Sequence, residues 1–169
     1  MMTRVYAAAL AGVVAISVNT AIVKAAAPLG ILAESGGLLR LFVSLLRAPA
    51  EALGITALWT SVGLSPPASL IFWLAFHYAT GFGMVCLYVL LEPRLPGRGL
   101  LKGSLFSLLP WLINGLIVLP ALGQGVFGYR TLPLSGIAYF FVANWSFGAV
   151  LGELYERLTI SSRSRGVHV

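Results

Sequence analysis

The chain has 169 residues, of which 59% are hydrophobic and 9% charged, with a mean hydropathy of +0.93. A water-soluble domain carries about 25% charged residues and a disordered chain is poor in apolar ones, so both classes are excluded. The net charge of +6 lies at the margins of apolar segments rather than in a basic run. In a membrane protein that pattern sets orientation, and it gives no nucleic-acid partner.

Four segments are apolar over the roughly 20 residues that a spanning helix needs. The first covers residues 5–27, with Lys24 near its end and able to snorkel outward. Arg4, the apolar stretch and the alanines at 25–27 also suit a signal peptide. The stretch is long for one, however, and Lys24 and Pro28 flank the would-be cleavage site. Next, residues 36–52 (GGLLRLFVSLLRAPAEA) place Arg40, Ser44, Arg47 and Glu51 at helical spacing on an otherwise apolar surface. This predicts an amphipathic helix, interrupted near Pro49 and lying in the membrane interface.

The second span is predicted at 66–91 and stops at Glu92-Pro93-Arg94. The third covers 100–119, with Pro110 expected to kink it and free a backbone carbonyl. The fourth covers 133–158, followed by the polar tail SSRSRGVHV. All four are long and lack period-two alternation, so helices rather than strands are expected.

Orientation follows from the cations. With a cytoplasmic N-terminus, that side holds Arg4, Arg94, Arg98, Lys102, Arg157, Arg163 and Arg165. The opposite side holds only Lys24, Arg40, Arg47 and Arg130, so both termini are expected inside. A repeat is also visible. His77-x3-Gly81-x6-Tyr88 in the second span matches Asn144-x3-Gly148-x6-Tyr155 in the fourth, and Gly12 and Gly103 occupy similar places in the first and third. Two hairpins of the same orientation are the economical arrangement.

Catalytic templates find little to hold. The chain has no Asp, and no Glu lies deeper in a span than Glu153, one turn from the end of the fourth. Paired carboxylates for acid–base work are therefore missing from the membrane interior. With Cys86 the lone cysteine and His77 and His168 the only histidines, a metal set and a bis-histidine haem are not expected either.

One feature stands out in depth. Asn19, His77, Asn114 and Asn144 give each span one strongly polar side chain near the midplane. Such groups are costly in hydrocarbon and turn inward to bond one another. The expectation is either a polar clasp that fixes helix packing, with Thr20, Thr80 and Ser146 as further partners, or a solute or proton site. In either case the four face a common interior, and His77 should lie within hydrogen-bond reach of at least one asparagine, directly or through water. Gly81, Gly148 and Gly152 are the candidate helix-packing positions.

The polar–Gly–Tyr pairing of FHYATGFGMVCLYVLL and VANWSFGAVLGELYERL, the LLPWLINGLIVLPALG of the third span, and Gly12 with Asn19 carry a resemblance. Together they resemble the YagU-like small bacterial inner-membrane proteins. The likeness covers most of the spans but not the loop from Pro28 to Ser65, and Asn144 stands where that group often has a second His. It implies a four-span bundle in a bacterial inner membrane and brings no biochemical activity with it.

The expected fold is thus an all-α membrane protein, residues 1–169 forming one integral membrane domain. Its core is a four-transmembrane-helix bundle, built as two hairpin repeats with an interfacial helix between the first two spans. The leading functional expectation is a non-catalytic accessory or assembly subunit of a larger membrane complex, with no cofactor. Its partners would be membrane lipids and either a membrane-protein partner or a second copy. The alternatives are a small oligomeric transporter or channel that uses the Asn/His level, and a lipid-, quinone- or pigment-associated protein with Trp73, Trp111, Trp145 and Tyr78 lining a lateral groove.

Overall fold

The computed structural model describes residues 2–165, with side chains from Arg4 to Ile160. The described chain is helical, without strands, and four of its helices are long and apolar enough to cross a membrane. His168 lies outside the described residues.

Helix α1 (Met2–Ala25) carries Ala7, Ala11 and Ala15 four residues apart, all buried, and packs on both of the helices described next. Those are α4 (Leu70–Leu91) and α7 (Leu134–Arg165), and α7 in turn packs along α5 (Gly99–Ile113). Two shorter helices, α2 (Gly37–Ala52) and α3 (Ile55–Ser61), join α1 to α4 and meet at 94°. They lean on α4 through Phe42 against Phe76 and Trp59 against Phe72.

Glycine decides how closely the long helices approach. A Cβ on Gly103 would strike the carbonyl of Gly148, and one on Gly152 would strike the carbonyl of Gly99. The α5 and α7 backbones therefore touch directly, as small residues permit in membrane helices. Where α1 meets α4, Gly12 faces Val85 and Gly81 faces Ile16, so side chains fill the same positions. The contacts recur in register: Gly12 with Val85 corresponds to Gly103 with Gly152, and Ile16 with Gly81 to Ser107 with Gly148. Tyr88 and Tyr155, equivalent in the sequence repeat, meet edge to face at 5.8 Å.

The N-terminus of α5 has no cap from its own sequence, since Arg98 makes no side-chain cap bond. Glu156 and Glu153 supply it from α7: Glu156 accepts from the Gly99 N–H, and Glu153 Oε2 accepts from the Leu100 N–H at 3.2 Å. Two carboxylates thus satisfy free amides at the positive end of a helix dipole.

Several segments depart from the sequence reading. Residues 66–69 precede the second long helix instead of belonging to it, because Ser69 caps it by accepting from the Phe72 N–H. The helix of 36–52 runs through Pro49 to Ala52, and α3 was not anticipated. In the third span Pro110 sits inside α5, and the irregularity falls one turn later, as a π turn at Asn114–Val118 leading to α6 (Leu119–Ala121). There the Asn114 amide donates to the Pro110 carbonyl at 2.9 Å, a side-chain bond of the kind that competes with a regular ladder. Finally, α7 extends past 158 to Arg165.

Candidate functional site

The side chains of Asn19, His77, Asn114 and Asn144 open onto one cavity of about 150 Å³. They come from α1, α4, the π turn and α7, so four separate spans contribute to a single space. Its apolar walls include Trp73, Phe76, Phe140 and Phe147, and Thr80 adds a hydroxyl.

No direct hydrogen bond joins the four polar groups to one another. Asn19 donates to the Ala143 carbonyl at 2.7 Å, joining α1 to α7. Asn114 and Asn144 each turn back along their own helices, to Pro110 at 2.9 Å and to Phe140 at 2.8 Å. The physical reason is proximity. A carbonyl one helical turn earlier is always within reach of an asparagine amide, whereas a neighbouring helix must be brought to it. His77 makes no hydrogen bond to any described residue and instead stacks on Trp73, ring centres 4.8 Å apart and planes 8° from parallel. The Lys24 ammonium lies 3.8 Å from the centre of that same indole, a cation–π contact.

One wall residue escaped the sequence reading. Glu34, in the loop after α1, is only 5% exposed and lines the cavity. Arg40 donates to its Oε1 at 2.6 Å, and the Gln124 amide, suitably turned, bridges the two at 3.2 Å from each. The signal in sequence was a lone acid in an uncharged loop, six residues before an arginine. Gly36 beside it adopts φ +77°, where a side chain would strain the backbone and press on Trp73 Nε1.

The packing glycines sit at helix contacts: Gly81 against Ile16, Gly148 against Gly103 and Ser107, and Gly152 against Gly99 and Gly103. The four aromatic residues expected along a lateral groove have different surroundings. Of them only Trp73 lines the cavity. Trp111 stacks on Phe127 at 4.4 Å, Trp145 is 41% exposed, and the Tyr78 hydroxyl pairs with that of Ser17 at 2.8 Å. Among the described residues, no three His, Cys or acidic side chains gather as metal ligands do.

The chemistry available is recognition by hydrogen bonding inside a partly aromatic chamber. A proton relay lacks its carboxylate, because Glu34 is committed to Arg40. Compared with protein-family models, curated proteins and solved structures, the chain matches none.

Proposed function

We propose that this is a non-catalytic, multi-pass membrane protein that holds or passes a small polar solute at the Asn/His cavity. The observation that carries the reading is the cavity itself. A set of side chains serving only to clamp helices would spend its polar atoms on one another. Here they open into a shared space instead. The long helices would form an antiparallel four-span bundle of two hairpin repeats in a bacterial inner membrane, with both termini cytoplasmic. Support for this comes from the cation count and from Arg4, Glu92 and Glu156 lining one pocket at that end. In this arrangement α2 lies in the interface, where its exposed Arg47–Glu51 pair reaches water. The span motifs keep the likeness to the YagU-like proteins as part of the proposal.

Assembly with a partner is the second reading, and α4 favours it. Only 11% of its most apolar stretch is buried, against 33–39% for the other three long helices. A partner helix or a second copy would find its face there.

Proteoliposomes challenged with ethylammonium, urea and glycerol test the solute reading, with light scattering as the readout. Faster entry than into empty vesicles, abolished by His77→Leu with stability nearly unchanged, is the expected result. Equal rates in protein-containing and empty vesicles for all three would leave assembly as the better reading.

A further inference from the structure

Each of the three asparagines that line the cavity spends an amide N–H on a backbone carbonyl. Only the amide nitrogen can meet a carbonyl. Their orientations are therefore fixed, and each Oδ1 is left without a bond to any described residue. An amide oxygen carries two acceptor sites, against the one N–H that each nitrogen retains. Acceptors thus outnumber donors on the asparagine wall.

Charge points the same way. Glu34 is the one charged residue lining the cavity, and no Lys or Arg lines it. Lys24 is held over the Trp73 ring and is not part of the lining. Arg40 binds Glu34 with a half-exposed side chain and is not part of the lining.

We propose that the cavity selects a small primary ammonium, its N–H groups shared among the Oδ1 atoms of Asn19, Asn114 and Asn144. This rests on the solute-site reading above and adds the ligand class to it. An anion would meet more acceptors than donors on the asparagine wall. A neutral alcohol would bring one donor to a wall that can accept several. Hydrogen bonds from a charged donor are the stronger kind, and they offset the cost of taking an ammonium out of water.

The test uses purified full-length protein in detergent, titrated with propylammonium chloride, 1-propanol and sodium propionate. These probes are alike in size and differ in headgroup, and binding is read by ligand-observed NMR. Propylammonium should bind about ten-fold more tightly than 1-propanol, because the alcohol brings one donor where the ammonium brings three. Replacing two acceptors together (Asn114→Leu with Asn144→Leu) should erase that preference. Asn144→Asp, which keeps the shape and adds a charge, should strengthen propylammonium binding. A preference for 1-propanol or propionate would overturn the ammonium assignment while leaving a solute site in place. Failure of all three probes to bind would overturn it as well. The reactivity of a Thr80→Cys variant toward water-soluble thiol reagents then shows whether the solute site falls with it.

Discussion

Asn19 on α1 donates its amide to the Ala143 carbonyl on α7 across 2.7 Å, and Asn19 is only 9% exposed. It is the one member of the polar level whose bond joins two long helices. Asn19→Leu should therefore cost stability while Asn144→Leu, whose bond stays within its own helix, costs little. Membrane hydrogen bonds are worth about 0.6–1.7 kcal/mol. Since Ala143 also accepts from Ser146 at 2.8 Å and is not orphaned, the lower half of that range applies to Asn19. Reversible unfolding in mixed micelles measures both. Equal losses for the two variants would contradict this division of roles.

The α5–α7 contact should be the least tolerant of added volume. Gly103→Ala places a methyl group on the Gly148 carbonyl, and a backbone cannot swing aside as a side chain can. An overpacking cost of about 1–3 kcal/mol is expected. Gly83→Ala is the control, because a Cβ there meets nothing within 4 Å. It should stay within about 0.5 kcal/mol of wild type. Comparable losses at both positions would show that α5 and α7 are not in backbone contact.

One turn away, at the N-terminus of α5, Glu156→Ala removes an acceptor from the first free amide, and a loss of about 0.5–2 kcal/mol is expected. Arg157→Ala breaks only an ion pair with Glu153, whose partners are 74% and 36% exposed. Such exposed pairs contribute under about 1 kcal/mol. Thermal unfolding of the two variants side by side separates cap from ion pair. A larger effect from Arg157→Ala would contradict the capping role.

Topology is open to direct test in a Cys86→Ser background. Cysteines at Gly97 and Ser162 should both react from the cytoplasmic side in intact cells, and one at Gln124 from the other. Labelling of Ser162→Cys from outside would invert the assignment.

The sequence displays some of this molecule and hides the rest for physical reasons. The long helices were readable because hydrocarbon demands long apolar runs, and residues 5–27 and 100–119 differ little from the helices found. Their ends depend on single capping bonds, as at Ser69, which hydropathy does not register. The π turn depends on where the Asn114 amide finds a carbonyl, a choice made among equivalent local partners. Glu34, Glu153 and Glu156 owe their roles to chain segments 6 to 57 residues away, so nothing adjacent to them announces those roles. That Asn19, His77, Asn114 and Asn144 gather on one cavity is readable from their positions along the spans. Their pairing is not, because depth says nothing about which neighbour each amide faces.

Whether the polar chamber is open to solutes can be read most directly at Thr80, which lines it on α4. Thr80→Cys and Gly83→Cys, three residues apart at similar depth, can be compared in the Cys86→Ser background. The reagent is 2-aminoethyl methanethiosulfonate, a small water-soluble cation. Gly83 faces outward into open space, so a cysteine there should be as inert as a lipid-facing residue. The account predicts that Thr80→Cys is modified and that propylammonium slows the reaction. A Thr80→Cys thiol as unreactive as the one at Gly83 would mean that the chamber is sealed packing, and would contradict the solute site.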